Sequence, residues 1–353
     1  MDFAFKRQDE TAISETTKIV PLTCHGHSRP ITHLSFSSLL PTASTPSVSG
    51  NPTTSQFYII SACKDNNPML RDGLTGDWIG TFIGHKGAVW SARLSEDATL
   101  AATGSADFSA KVWDTFTGEC LFTLQHEHIV RAVAFPPAER PSIVATGGME
   151  KRLRIWDISG QEAANGTNGT ISTTPFYEIG PTIHQGPIKS IVWTRDPNIL
   201  VTAADDKIIR WWELRTRTCI AQYPIASLPT SCELNTGLDS SPAGILSVAA
   251  GKDIYFFHGS TPATLLKHIT SPREIASVAL EGGRRRFVTG SPGDTWVRVW
   301  SWDDERELEV GRGHHGPVWT VGWSPDAGVY ATGSEDGTVK MWKAEAGGYG
   351  LWR

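Results

Sequence analysis

The chain has 353 residues, 39% apolar and 20% charged, with a formal net charge of −5 at pH 7. This is globular composition with ample material for a core, and the negative balance argues against a surface adapted to coating nucleic acid. Five cysteines (Cys24, Cys63, Cys120, Cys219, Cys232) lack CxxC or Cys/His ligand spacing, which argues against a disulfide framework or a zinc site and for reduced thiols in a cytoplasmic and nuclear protein.

Residues 1–17 are polar, lack the apolar centre of a secretory signal and read as a flexible segment. No run approaches the ~20 apolar residues of a membrane span. From residue 18 to 342 the chain repeats itself. GHKGAVWSARLSEDATLAATGSADFSAKVWD (Gly84 to Asp114) aligns without gaps with GHHGPVWTVGWSPDAGVYATGSEDGTVKMW (Gly313 to Trp342); in each, His and Trp stand 28 apart (85 to 113, 314 to 342). Related units end at Trp156, Trp212 and Trp300, and weaker ones near Arg71 and Phe257, making seven in all.

The steps between these markers, where no insertion intervenes, match the ~40–45 residues of a WD-repeat blade. Within a unit, short runs such as VWSARL, LAATG and AKVWD are separated by SED, SAD and TGE turns, so each unit reads as four short strands. The expected fold is all-β: a seven-bladed WD-repeat β-propeller. The tail, residues 343–353, is too glycine-rich to supply a strand. Lys18 to Thr23 stands before Gly26 and His27 as Leu121 to Leu124 stands before His126, so it is expected to close the ring as the outer strand of the last blade. Pro21 is tolerable on such an edge.

Two polar sets recur: His85, Ser105, Asp107, Trp113 and His314, Ser334, Asp336, Trp342. A His, a Ser and an Asp suggest a hydrolase triad, but an active site is needed once and this set is repeated. The expected role is structural: Asp accepts from His, the Ser hydroxyl joins them, and the Trp indole N–H is satisfied at the far end. Cys63 and Arg71 replace Ser and Trp in the first unit, Glu150 replaces Asp in the third, and the fifth (SVAAGKDIYFFHG) has lost nearly all of the set. No GxxxxGK[ST], HExxH or GxSxG motif is present, so no catalytic residue, metal ligand, cofactor or small-molecule substrate is expected.

Binding is therefore sought where the repeat breaks. Ser/Thr/Pro/Asn-rich insertions at 37–56 and 159–175, with sequons at Asn165 and Asn168, read as solvated loops on one rim. Arg284, Arg285 and Arg286 map to the same rim opposite the acidic run Asp303 to Glu309; local pairing is the main reading, and an RNA phosphate contact the lesser one. On the other rim, Trp90 and Trp319 follow the core valines Val89 and Val318 at the channel mouth, and Arg131 and Lys189 hold the same place in the third and fourth units. Large aromatics there suit a partner interface, with packing between blades as the alternative.

SACKDNNPMLRDGLTGDWIGTF, ADDKIIRWWE, GSEDGTVKMW and the closing YGLWR, with Tyr349 and Trp352, resemble the serine-threonine kinase receptor-associated protein (unr-interacting protein) family. The resemblance implies a non-enzymatic adaptor for protein partners, working with the survival-of-motor-neuron complex in assembly of spliceosomal small nuclear ribonucleoproteins and related mRNA metabolism. Receptor signalling is a further implied role. The chain is also similar to the WD-repeat i subunit of translation initiation factor three, and a methyl-lysine reader would need an aromatic cage at the mouth.

Overall fold

The computed structural model describes residues 20–40, 56–160, 174–235, 237–238 and 241–345. The segment 1–17, the middle of both insertions, the two sequons, Tyr349 and Trp352 lie outside these residues. Among the described residues, strands alone assemble into seven four-stranded antiparallel sheets, and no helix is long and apolar enough to cross a membrane.

The second blade shows why such short segments become strands. Val89–Leu94, Leu100–Ser105, Ser109–Asp114 and Cys120–Gln125 follow one another, and an Asp (Asp97, Asp107 or Asp114) pins each of the three turns between them. Asp97 accepts hydrogen bonds from the hydroxyls of Ser95 and Thr99, while Asp114 accepts the N–H groups of Phe116 and Thr117. These side-chain-closed turns reverse the chain within a few residues. Burial falls outward: every residue of Leu100–Ser105 is buried, whereas Cys120–Gln125 is largely exposed.

The inner strands are Ile31–Phe36, Val89–Leu94, Val130–Ala134, Ile188–Trp193, Pro229–Asn235, Ser277–Glu281 and Val318–Trp323, and each lies beside the next around a closed ring. The core is correspondingly divided. Each interface between neighbouring blades has its own apolar cluster; Ile60, Ala62 and Phe82 of blade one, for example, pack on Val89, Ala101 and Trp113 of blade two. The sheets thus pack face to face, and a blade in isolation buries neither of its faces.

The ring closes through an N-terminal strand, Leu22–Cys24, which pairs antiparallel with Val339–Met341 of the last blade. Of the expected 18–23, residues 18 and 19 lie outside the described residues; among those described, pairing starts after Pro21, which has no N–H to give the ladder, and runs one residue further, to Cys24. Lys340 Nζ donates to Thr23 Oγ1 at 2.6 Å across the seam.

Candidate functional site

The recurring polar sets are buried relays, with one correction. In blade two, His85 Nδ1 lies 2.8 Å from Asp107 Oδ2, His85 Nε2 lies 2.7 Å from Thr103 Oγ1, and Trp113 Nε1 donates to the same oxygen at 2.8 Å. The hydroxyl at the centre is that of Thr103, not Ser105. Ser105 instead donates to the Gly87 carbonyl at 2.8 Å and accepts from the Asp107 N–H, so it holds the loop rather than the relay. Blade seven repeats this: Thr332 joins His314 to Trp342, while Ser334 donates to the Gly316 carbonyl. Residues two apart share a face of a strand, so Thr103 and Ser105 both face the relay side, but Ser105 sits beyond the level of the indole.

Asp107 accepts from His85 Nδ1–H, and Nε2 faces the Thr103 hydroxyl, which can donate to it. Burial alone would raise the Asp107 carboxyl; hydrogen bonds from His85, Ser109 and the Lys86 N–H outweigh it and hold the group well below the usual range. In blades three and four an arginine enters the relay, Arg154 beside Glu150 and His126, and Arg210 beside Asp206 and His184. Burial, then Arg210, pushes the His184 imidazole down to about 4. Blade one uses His27, Ser61 and Asp65, and its Arg71 donates to the carbonyls of Gly76 and His25 in place of a tryptophan.

The channel mouth is built by a repeated irregularity. In six blades the register slips at the second position of the inner strand, which bulges out Thr32, Trp90, Arg131, Lys189, Thr230 and Trp319 in turn. A β-bulge leaves one residue unpaired and re-aims its side chain. All six, with Ala276 of blade six, line one cavity of about 290 Å³. The four residues singled out from the sequence are thus brought together. The mouth is uneven: tryptophans on blades seven and two, cations on three and four, small side chains on five and six.

Trp319 is 37% exposed and its indole donates to Glu335 at 2.6 Å. Trp90 is half-buried, with the Arg131 guanidinium 4.3 Å from its ring centroid and Lys64 Nζ 6.0 Å away. Lys189 pairs with Asp205 at 3.6 Å. With Arg131 already against Trp90 and Glu335 holding Trp319, these two rings do not form an open aromatic cage.

Below the mouth is a feature that sequence reasoning missed. Arg93 of blade two reaches Glu233 of blade five through two contacts of 2.7 Å, and His33 of blade one lies 3.2 Å from the same carboxylate. Burial would raise the Glu233 carboxyl, but Arg93 and His33 hold it at about 2. Burial, reinforced by Arg93, pushes the His33 imidazole down; its Nε2 faces Glu233, and its Nδ1 lies 3.1 Å from the Ala92 carbonyl and 3.4 Å from the Ala92 N–H. The forked pair lines both the mouth cavity and a second cavity of about 250 Å³ towards the other rim. It is a bar across the channel.

Comparison with known proteins places this architecture. The WD domain, G-beta repeat model matches residues 76–114, 118–157, 180–213 and 306–343. The serine-threonine kinase receptor-associated proteins of Gallus gallus and Homo sapiens are each 40% identical to this chain, over 94% of it and 85% of their own length. The Dictyostelium discoideum protein of that name is 37% identical over 92% of this chain and 98% of its own. The chain belongs to the serine-threonine kinase receptor-associated protein family. Translation initiation factor 3 subunit I of Caenorhabditis briggsae is a more distant relative, 24% identical over 91% of the chain and 95% of its own length.

Of the remaining candidates of this family member, Arg285 and Arg284 are engaged locally. Arg285 grips Asp303 at 2.6 and 2.9 Å, and Arg284 pairs with Glu345 at 3.2 Å and donates to the Ala327 carbonyl. The backbone of Arg286 pairs with those of Glu281 and Ser301 in the sheet. All five cysteines are free thiols. His27, Cys63 and Asp65 cluster closely enough to suggest a metal site. Both His27 nitrogens are engaged, however, and the Cys63 thiol, pushed up to about 12 by burial, donates to the Arg29 carbonyl.

Proposed function

We propose that this chain is a non-enzymatic WD-repeat adaptor that works, in cytoplasm and nucleus, with the survival-of-motor-neuron complex in assembling spliceosomal small nuclear ribonucleoproteins and in related mRNA metabolism. Family membership supports the adaptor role. The observation that carries the choice of surface is the ring of bulged residues: a rigid scaffold presents Trp90, Trp319, Arg131 and Lys189 at one cavity, while the relay residues are turned inward. Half-buried aromatics and arginine are the side chains that anchor protein interfaces.

The test is affinity purification of the tagged full-length chain, with partners identified by mass spectrometry, beside the double variant Trp90→Ala/Trp319→Ala. Sm-assembly proteins are expected with the native chain and are lost with the variant while its melting curve is retained. Recovery of initiation-factor subunits or receptor-signalling proteins in their place overturns the assignment, and undiminished recovery by the variant overturns the choice of surface.

A further inference from the structure

The cations at the mouth are not matched by anions, and the mismatch has a definite position. In blades one, two, three, four and seven the turn after the second strand places one residue beside the bulge: its N–H bonds back to the loop just ahead of the inner strand. In blade four this residue is Asp205, opposite Lys189; in blade seven it is Glu335, opposite Trp319. In blade three it is Met149, so no carboxylate stands opposite Arg131 at this turn position. Blade one adds a further cation, Lys64, at the same turn position.

Lys64, Arg131 and Lys189 thus line the mouth of a chain whose net charge is negative, while the matching turns carry two carboxylates, Asp205 against Lys189 and Glu335 against Trp319. Burial, and then Arg131, pushes the Lys189 ammonium down; burial does the same to Arg131. Arg93 contributes no free charge, because Glu233 neutralises it. Two further groups are incomplete among the described residues: the buried Trp90 indole N–H has no acceptor, and the buried Oδ1 of Asp205 has no donor. Buried polar groups are ordinarily paired, and leaving one unpaired costs free energy.

We propose that the mouth binds an acidic peptide segment of a protein partner, one Asp or Glu side chain entering the cavity against Arg131 and Lys189. The guanidinium fork matches a carboxylate in two parallel hydrogen bonds. The deficit has two signs, an acceptor needed at Arg131 and Trp90 and a donor needed at Asp205. A peptide supplies both, through its carboxylate and its backbone N–H. The floor formed by Arg93 and Glu233 limits entry to one or two side chains, whereas single-stranded nucleic acid calls for a groove that tracks its backbone.

The inference rests on the mouth being the partner surface, and its test is independent of partner recovery. A fluorescein-labelled heptapeptide of alternating Asp and Glu is titrated with the purified full chain by fluorescence anisotropy, beside its Asn/Gln counterpart and a fluorescein-labelled uridine octanucleotide. The acidic peptide is expected to bind at least tenfold more tightly than the amide peptide and to weaken with added salt. Arg131→Gln/Lys189→Gln reduces binding at least tenfold; so does Met149→Glu, which restores the missing carboxylate without removing a cation. Arg215→Gln, on an 83% exposed side chain, leaves it unchanged. Equal affinity for the two peptides, indifference to both mouth variants in folded protein, or tighter binding of the octanucleotide through the same residues overturns the proposal. If the peptide fails but Trp90→Ala/Trp319→Ala still loses its cellular partners, the adaptor surface stands and only the acidic chemistry falls.

Discussion

Blade two and blade five solve the same packing problem in opposite ways. Where blade two has His85, Thr103 and Trp113, blade five has Ile225, Val248 and Phe257, all buried in one apolar cluster with Tyr255 and Trp211. The first set must satisfy every donor and acceptor it buries; the second has none. A complete polar network and an apolar set of similar shape are close in net stability, whereas a broken network is worse than either. Blade five has changed these positions together, so the strands still pair and the ring still closes. The relay is one way to fill the space between blades, and the fold tolerates its replacement as a unit.

The largest expected effect is on the ring that both solutions keep. Trp113→Ala, in a fully buried site, is expected to lower stability by ~3–5 kcal/mol, and Phe257→Ala by a similar amount, as measured by denaturant unfolding. Equal mild losses at both sites would break the comparison. Next comes the centre of the relay: Thr103→Val leaves Trp113 Nε1–H without an acceptor and is expected to cost ~1–3 kcal/mol. Ser105→Ala should cost less, since the Thr103-centred relay survives. The triple change His85→Ile/Thr103→Val/Trp113→Phe, which carries the blade-five set into blade two, is expected to recover much of the Thr103→Val loss. A triple variant less stable than the single one would show that the apolar solution depends on its neighbours.

The smallest effect is confined to acid. In Asp336, burial raises the carboxyl, but hydrogen bonds from Thr338 and from the His315 N–H outweigh it and hold the group at about 2 against an ordinary 3.8. Asp65, where burial is outweighed by His27, is also at about 2. Folded carboxylates with lowered values bind protons less readily than the unfolded chain, so their contribution is complete above about pH 4 and drains away as pH falls towards 2. Asp336→Asn is expected to melt lower than the native chain at pH 7, with a shallower decline between pH 4 and 2. Blade five contributes no such term from its relay positions. Parallel pH profiles for the variant and the native chain would sink this assignment.

These blades also show what was legible in sequence. The seven-bladed fold could be read because each unit repeats its Trp, its turn Asp and its short β runs, so that strong units located weak ones by spacing. The relay could be read only in part. Aligning the two best units marks Ser105 and Thr103 equally well; only comparison across the ring separates them. The inner position keeps a hydroxyl in six blades, as Ser61, Thr103, Thr146, Thr202, Thr289 and Thr332, and is Val248 in blade five, whereas that of Ser105 drifts to Cys63, Gly148, Ala204 and Ala250. The mouth residues could be placed because they follow a core residue at the start of each inner strand, although the bulge that re-aims them leaves no mark in composition. The Arg93–Glu233 bar was invisible. Its partners are 140 residues apart on blades that are not neighbours in the ring, and no repeat relates an arginine on one to a glutamate on the other.

The seam between Leu22–Cys24 and Val339–Met341 also sets a timetable for biosynthesis. Cys24 leaves the ribosome 315 residues before Val339 (339 − 24). At ~5–20 residues per second that is a wait of roughly 15 to 60 s, long enough for earlier blades to fold and stack behind it. Throughout that interval the first strand is a β-edge without a mate, the kind of segment that pairs with a foreign chain when left exposed. Pro21 at its head and Lys340 reaching back to Thr23 across the finished seam confine what can dock there. The seam therefore joins an early segment to one made 315 residues later, and a nascent chain interrupted before residue 339 cannot complete the ring.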